Sequence, residues 1–180
     1  AGSLVFHLKV YHLTRDRRRP VDPAGFLRGL EADGWKLVHL TRRNKLRHAI
    51  SNLLLEYRGS ARKLTDDEER PSLVVDCSEL ERIVDERFRF EEDERRALAG
   101  MECHPVVYED DLQDSRRHQE TIEGILRLLS LPSRPVGTEL RRVNVYRLED
   151  LVSNWDDVMR LIRSRGWSRF LDDGNSDGSG

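Results

Sequence analysis

The stretch KLVHLTRRNKLRHAIS, residues 36–51, joins a short apolar run to a segment whose apolar residues recur at helical spacing. The run WKLVHLT, residues 35–41, predicts a buried β-strand. From Asn44 onward, apolar residues fall at i, i+3, i+4, i+7, i+8 and i+11, which predicts an amphipathic helix ending near Gly59. Its apolar stripe comprises Leu46, Ala49, Ile50, Leu53, Leu54 and Tyr57.

This helix would open on four cations and no acid. Arg42, Arg43, Lys45 and Arg47 stand around its start, although the positive end of a helix dipole disfavours each nearby cation by roughly 0.3 to 1 kcal/mol. We therefore expect an anion at this position. The alternative is a solvated basic face, which is what most charge runs are.

Two further elements are predicted upstream. LVFHLKVYHL, residues 4–13, has the composition of a strand, and the charged, proline-containing run TRDRRRPVDP that follows it predicts irregular structure. Asp22 is placed to cap a helix that Pro23 begins and Gly34 ends. A strand, a helix and a second strand over residues 4–41 predict a βαβ unit with a parallel sheet.

The rest of the chain alternates helical, polar and strand-like segments. Residues 60–76 are expected to form an exposed loop, and Ser78 with Glu81 a capping box for a long helix, broken around Phe90 and stopped at Gly100. HPVVYEDDL, residues 104–112, predicts a third strand. Further predictions are a helix containing residues 122–129, one or two C-terminal helices, and a disordered tail at 173–180 after a single domain, 1–172.

Composition restricts the classes of function. The chain has 180 residues and a net charge of −2, whereas a general nucleic-acid binder is usually basic, so any cationic site must be local. Cys77 and Cys103 lack metal or redox spacing, which favours thiols over a disulfide. The sequence has no run of 18 apolar residues and no signal-peptide pattern, which predicts a cytoplasmic protein. The first residue is Ala1, so an excised piece of a longer protein is one interpretation.

Position and spacing favour an anion site over a solvated face. A strand that leads into a helix presents free backbone N–H groups at the carboxyl edge of a parallel sheet, where α/β proteins bind phosphate. Arg43, Arg47 and Ser51 are four residues apart, hence on one side of a helix. Their span rises roughly 12 Å, which a forward-folding arginine bridges, and a guanidinium binds phosphate oxygens in bidentate fashion.

An apolar strand, an arginine, seven residues and a serine on the next helix resemble the 3'-phosphate-binding segment of sulfotransferases that use 3'-phosphoadenosine 5'-phosphosulfate, PAPS. Three more stretches are similar to that family in order and spacing: VVYEDDL (106–112) to its YEDL segment, TIEGILRLLSLP (121–132) to its helix ending in an FLGLP-like motif, and ELRRVNVYRLEDLVSNWDDVMRLI with RGWSRFL (139–171) to the C-terminal region of bacterial carbohydrate-type members.

This resemblance implies an α/β, P-loop-NTPase-like three-layer fold with a parallel sheet. It implies sulfuryl transfer from PAPS to a hydroxyl of a carbohydrate, glycolipid or small metabolite, with 3'-phosphoadenosine 5'-phosphate, PAP, as product. Arg43, Ser51 and Arg47 would bind the nucleotide, and Arg141 and Arg142 would belong to a loop that closes over it. The segment Tyr108–Asp110 has a structural alternative, which is to end a strand and cap the next segment.

For the chemistry, the resemblance points to residues 7–12. His12 is the candidate general base, because an imidazole accepts a hydroxyl proton near neutral pH, and Lys9 is the candidate cation for the sulfuryl oxygens. His39, inside a predicted strand, is expected to be a core histidine. The 180 residues contain none of the Gly-, Ser- and Thr-rich loop that wraps the 5'-phosphosulfate in this family, so the fold is expected to be incomplete at its N-terminus, or degenerate.

Two other functions stay open. The same fold would serve as a non-catalytic module that binds PAP or an RNA phosphate, or as an interaction domain with solvated arginines. A Ser51 packed into the interior, or an Arg43 turned outward onto a neighbouring carboxylate, would count against their convergence on a ribose phosphate.

Overall fold

The computed structural model describes residues 4–58, 73–137 and 147–171. These residues form two strands, β1 (Leu37–Thr41) and β2 (Cys103–Val107), a π-helical turn at Tyr108–Leu112, and 3-10 turns at Ser115–Arg117 and Ser168–Phe170. Their helices are α1 (Val10–Thr14), α2 (Pro23–Ala32), α3 (Lys45–Arg58), α4 (Cys77–Ala97), α5 (His118–Leu128), α6 (Leu148–Leu151) and α7 (Trp155–Ser164).

The two strands form a small parallel sheet. β1 pairs with β2 in a register that runs from Leu37 opposite Cys103 to Thr41 opposite Val107. The crossover between them contains α3 and α4, which are long enough to return the chain to the same end of the sheet. The fold is therefore mixed α/β, as the sequence predicted at this coarser level.

Helices lie on both faces of this sheet. On one face Leu37 packs with Leu27 of α2 and with Leu98, just after α4. On the other face α5 approaches β2 so closely that a Cβ atom on Gly124 would lie 3.1 Å from the His104 Nε2 atom. Helices thus contact the sheet at Leu37 and at His104, whereas Val38 and Leu40 of β1 are 43% and 52% exposed.

The predicted strand at residues 4–13 is wrong. Residues 4–9 have no regular secondary structure, and Val10–Thr14 form helix α1. Val10 and Leu13 are both buried, and they are three residues apart, so a helix places them on one side. The predicted βαβ unit of residues 4–41 is consequently wrong as well, because β1 takes its parallel partner from a strand downstream.

Helix α2 matches its predicted start and stop. The Asp22 carboxylate accepts hydrogen bonds from the backbone N–H groups of Ala24 and Gly25, and Pro23 is the first helical residue. The chain leaves this helix through Gly34, whose φ of +85° is accessible to glycine at little cost.

Helix α3 follows the predicted apolar stripe. Leu46, Ala49, Ile50 and Leu54 are buried, whereas Tyr57 is 67% exposed, so the buried stripe stops one turn before the helix does. Lys45 is the first helical residue. The preceding Asn44 acts as the cap, since its Oδ1 accepts the backbone N–H of residue 47 at 2.8 Å.

The cap of helix α4 lies two residues before the predicted one. Asp76, not Ser78, supplies the cap, and its carboxylate accepts the backbone N–H groups of Ser78 and Glu79. The helix continues through Phe90 without the predicted break. Gly100, with φ of +77°, follows its end as predicted.

The main core lies between α3, α4, α6 and α7 and includes the segments on either side of α6. Its fully buried side chains include Leu46, Ile50, Leu80, Val84, Leu151, Val158 and Ile162. A smaller cluster joins α1, α2 and α4 through Val10, Leu27 and Ala97. The amphipathic faces that the sequence predicted for α3 and α4 therefore meet each other in the larger core.

Some predicted elements are confirmed and others fall outside the described residues. The third strand is present as β2 but stops at Val107, and α5 starts at His118. Residues 59–72, 138–146 and 172–180 are not described, so most of the predicted loop and the predicted tail lie there. No helix in the described ranges has the length and apolarity to cross a membrane.

Candidate anion-binding site

The carboxyl ends of β1 and β2 bring the arginine-rich stretch beside the YEDD segment. The Glu109 carboxylate accepts hydrogen bonds from the backbone N–H groups of Arg43 at 2.9 Å and Asn44 at 3.0 Å. Its side chain is only 7% exposed. The protein itself therefore supplies the anion expected at the start of α3. Glu109 caps this helix although it is distant from it in the sequence.

Arg43 lies outside α3, and its side chain is engaged. The chain becomes helical only at Lys45, so helical spacing does not place Arg43 on one side of α3 with Arg47 and Ser51. Its guanidinium forms a bidentate pair with the Asp110 carboxylate, through both Nη atoms. This pair is exposed, at 58% for Arg43 and 48% for Asp110. Arg43 is thus held by a neighbouring carboxylate, which counts against the prediction that Arg43 and Ser51 converge on one phosphate.

The structure says less about the other residues that were predicted to bind the nucleotide. Arg47 and Ser51 lie on α3, one turn apart, and both side chains are partly buried. Ser51 is thus not enclosed in the core. Arg141 and Arg142 fall in the undescribed segment 138–146, so their predicted role over a nucleotide stays a prediction.

A cleft of about 560 Å³ runs along β1 and contains a group of cations at one end. Lys9, Arg42, Lys45 and Arg87 line it, and they come from four separate places: the segment before α1, the junction after β1, the first residue of α3 and the middle of α4. We call these four residues the cation cluster. A fifth cation, Lys36, and two acids, Glu91 and Glu94, line the same cleft, so its charge is positive although the chain is net negative.

The cation cluster surrounds His48. Burial, followed by the positive charges of Arg42, Arg87, Lys9 and Lys45, lowers the pKa of His48 from 6.5 to about 3. Each of these causes disfavours an imidazolium. His48 is therefore a neutral side chain at physiological pH, held so first by burial and then by the positive charges at this end of the cleft.

Contacts inside the protein compensate the cluster only in part. The Lys45 ammonium group donates to Glu91 at 2.7 Å and to the backbone carbonyl of Arg42. The Arg42 guanidinium stacks on the Tyr108 ring at 4.5 Å, with Nε 3.9 Å from Glu109. The Nε of Arg87 is buried and makes no hydrogen bond within the described residues. A buried N–H of this kind is the feature that an added anion would satisfy.

The two candidate catalytic residues, Lys9 and His12, lie in different surroundings. Lys9 lines the cleft, whereas His12 does not belong to its described lining. His12 lies on α1 instead of a strand end, its Nδ1 is 3.4 Å from the backbone nitrogen of Lys9, and its Nε2 is 4.0 Å from Asp16. The geometry gives more support to Lys9 as a ligand of an anion than to His12 as a base.

His39, Cys77 and Cys103 are partly buried side chains outside the cation cluster. His39 is partly buried, with Nε2 3.6 Å from a Glu94 oxygen but without a hydrogen bond from that atom in the described part of the chain. Cys77 and Cys103 are free thiols, as predicted, but they are only partly buried. Burial raises the pKa of both thiols, and nearby acids add to the effect, which disfavours the reactive thiolate.

Among the described residues no group of acids, histidines and cysteines is arranged for a metal ion.

Sequence reasoning missed Arg87 and His48 as parts of this site. Arg87 belongs to a helix full of charges, and its local sequence does not distinguish it from the exposed Arg82 and Arg89. His48 is one turn from Asn44 on the face that α3 turns toward α4. Periodicity offered one signal, since a histidine bordering the apolar stripe of α3 had to be partly buried.

Comparisons of this chain with protein-family models, with curated proteins and with solved structures gave no match.

Proposed function

We propose that this chain forms the nucleotide-binding part of a PAPS-dependent sulfotransferase. The observation that supports the proposal is the cation cluster at the carboxyl end of β1, in which the buried Nε of Arg87 makes no hydrogen bond with any described residue. Cations at this edge of a parallel sheet are suited to a phosphosulfate, which carries several negative charges in a small volume. The four sequence segments that resemble the family supply the identity of the donor.

In this proposal Arg43, with Arg47 and Ser51, takes the 3'-phosphate of the nucleotide. The phosphate must replace Asp110 as the partner of Arg43. This exchange is energetically accessible, because an exposed ion pair is worth only about 0 to 1 kcal/mol, and a phosphate dianion offers the guanidinium a stronger bidentate partner. Glu109 remains in place as the cap of α3, since it is buried.

The donor supplies an activated sulfuryl group, which an acceptor hydroxyl attacks in line. Lys9 would hold the sulfuryl oxygens, and Arg42 and Arg87 would balance the charge that develops on the bridging oxygen. His12 takes the hydroxyl proton only if the acceptor enters from the α1 side, because this residue lies off the described lining of the cleft. The acceptor would be a carbohydrate, a glycolipid or a small metabolite.

A second candidate function is a binding module for PAP or for an RNA phosphate. The observation in its favour is that the 180 residues lack a Gly-, Ser- and Thr-rich loop for the 5'-phosphosulfate. In this case the cation cluster would bind phosphate without turnover.

The test is calorimetric titration with PAP and with AMP, which lacks the 3'-phosphate. We expect PAP to bind more tightly, and Arg43→Ala to remove that preference while leaving AMP binding unchanged. Arg87→Gln should weaken the binding of both PAP and AMP, because Arg87 would contact the 5'-phosphate that both nucleotides carry. Arg163→Ala, an exposed arginine on α7, is the matched control.

Equal affinity for PAP and AMP in the unaltered chain would refute 3'-phosphate recognition, and absence of binding to either would refute a nucleotide function. Tight binding of single-stranded RNA with a steep salt dependence, without binding of PAP, would favour the second candidate. Incubation with PAPS and a sugar acceptor, followed by detection of PAP, separates an enzyme from a binding module.

A further inference from the structure

His48 lies among the residues of the cation cluster, at the end of the cleft where β1 passes into α3. Its side chain lines the cleft together with Lys9, Arg42, Lys45 and Arg87. Among these five side chains, the imidazole alone can change its charge between neutral and mildly acidic pH. The protonation state of His48 therefore sets the total charge that this end of the cleft presents to a ligand.

The acids around the cluster are engaged with partners other than His48. Glu91 accepts a hydrogen bond from the Lys45 ammonium group at 2.7 Å, and the buried Glu109 lies 3.9 Å from the Nε atom of Arg42. Glu94, the other acid that lines the cleft, lies 3.6 Å from His39. The charges that act on the His48 imidazole are those of the four cations. His48 is thus in a positive potential.

Arg87 indicates that the cluster has capacity for an added anion. Its Nε is buried and makes no hydrogen bond within the described residues, and its guanidinium carbon lies 5.9 Å from the ring centre of Phe90, another residue of the cleft wall. A buried N–H group without an acceptor is costly. A tetrahedral oxyanion would supply this acceptor and would have further oxygens for Lys9 and Arg42.

Entry of such an anion reverses the field at His48. Before entry, burial and then the four positive charges hold the pKa of the imidazole at about 3. A dianion within about 4 to 5 Å opposes these charges and attracts an imidazolium strongly in a partly buried site. His48 is already partly buried, so the ligand changes the local charge more than it adds desolvation. The protonated form of His48 therefore becomes more favourable when the site is filled.

A protonated His48 also becomes a better ligand for the anion. A neutral imidazole has one N–H donor and one acceptor nitrogen, whereas an imidazolium donates from both nitrogens. A hydrogen bond from an imidazolium to an oxyanion is charge-assisted and hence stronger than a neutral one. Anion binding and protonation of His48 should therefore favour each other.

We propose that a dianionic oxyanion group binds in the cation cluster together with one proton, which His48 takes from solvent. The inference deepens the proposed function and rests on it only for the presence of an anion at this end of the cleft. A phosphosulfate carries one negative charge on each of its two groups, so this site would bind the donor nucleotide more tightly in mildly acidic solution.

The probe is inorganic sulfate, which stays a dianion from about pH 7.5 to about pH 4.5. NMR titrations of the histidine rings in the full chain are recorded with and without saturating sulfate, at equal ionic strength in sodium chloride. We expect sulfate to raise the midpoint of the His48 titration by about two pH units. His12 and His118, which lie outside the described lining of the cleft, should shift by less than about 0.3 pH units.

The same coupling must appear in the affinity, because linkage is reciprocal. With a midpoint raised by about two pH units, sulfate should bind about fourfold more tightly at about pH 4.5 than at about pH 7. This gain is counted beyond that of His48→Gln, which measures the contribution of Glu91 and Glu94. Arg87→Gln should weaken sulfate binding at both pH values, whereas Arg89→Gln, an exposed arginine on the same helix, should not.

Three results would overturn the proposal. They are a His48 midpoint that saturating sulfate leaves unchanged, absence of sulfate binding up to about 100 mM, and equal pH dependence in the original chain and His48→Gln. The ring titration uses the original chain, so a His48→Gln variant that fails to fold leaves the test intact.

The outcomes also separate this inference from the proposed function. Sulfate binding coupled to His48, without binding of PAP, would refute the nucleotide function alone. A preference for PAP over AMP, without any response of the His48 ring to sulfate or to PAP, would refute the coupling and leave the proposed function standing.

Discussion

The carboxylate of Glu109 lies 3.0 Å from the backbone nitrogen of Asn44, although 65 residues separate them in the sequence. This contact joins the end of β2 to the start of α3 and explains how a helix can begin among four cations. The buried negative charge of Glu109 satisfies two backbone donors that the helix cannot satisfy itself. It also offsets the guanidinium of Arg42 close by.

The first prediction concerns this cap. Glu109→Ala should lower the free energy of unfolding by about 2 kcal/mol, because it removes a cap and leaves two backbone N–H groups unpaired. Urea denaturation measures the change. Glu120→Ala, at an exposed acid on α5, is the control and should change stability by less than about 0.5 kcal/mol. A Glu109 variant as stable as the control would show that the cap contributes little.

The second prediction concerns the pair of Arg43 with Asp110. Asp110→Asn removes the carboxylate that competes with a phosphate, so the affinity for PAP should rise about two- to fivefold, while stability changes by less than about 1 kcal/mol. Asp114→Asn, in the exposed Asp114–Arg116 pair, is the matched control. Weaker binding of PAP to the Asp110 variant would instead show that this acid holds Arg43 in position for the ligand.

The third prediction is a pH dependence of stability caused by His48. Its pKa is lowered to about 3 in the folded protein, so between about pH 6.5 and pH 3 the unfolded chain binds a proton that the folded chain does not, and stability falls as the pH falls. His48→Gln should remove about 1 to 3 kcal/mol of this loss between pH 6.5 and about pH 4, allowing for partial solvent exposure.

The measurement is a set of urea titrations across this pH range for the original chain, His48→Gln and the exposed control His7→Gln. Equal slopes against pH for all three would contradict the prediction. An NMR titration of the His48 ring gives the pKa directly, and a value near 6.5 would show that neither burial nor the cation cluster acts on the imidazole.

The fourth prediction concerns Asn44, which is 2% exposed. Its Nδ2 donates to the backbone carbonyl of Phe170 at 2.7 Å, and its Oδ1 caps α3. Asn44→Ala should therefore destabilise the protein by about 2 to 4 kcal/mol, since it leaves a buried carbonyl and a backbone N–H without partners. Asn52→Ala on the same helix should change stability by less than about 1 kcal/mol. Thermal or urea unfolding distinguishes the two variants.

The sequence alone was sufficient for most local structure. The apolar spacing in α3, the Asp22–Pro23 start of α2 and the glycines at 34 and 100 are short-range features, and each is found where it was predicted. The exceptions are the capping box at Ser78, the break at Phe90 and the strand at residues 4–13. At residues 4–13 an apolar, β-branched composition is compatible with a strand or a short helix, and packing of Val10 and Leu13 against neighbouring helices selects the helix.

The sequence also determined that something negative belongs at the start of α3, because a helix dipole and four cations create that demand within a few residues. Only the tertiary structure decided that Glu109 meets it, that Asp110 holds Arg43, and that Arg87 joins Lys9 around His48. These groups are brought together by the parallel pairing of β1 with β2 and by the packing of α4, and electrostatic contacts between distant segments leave no periodic signal in a sequence.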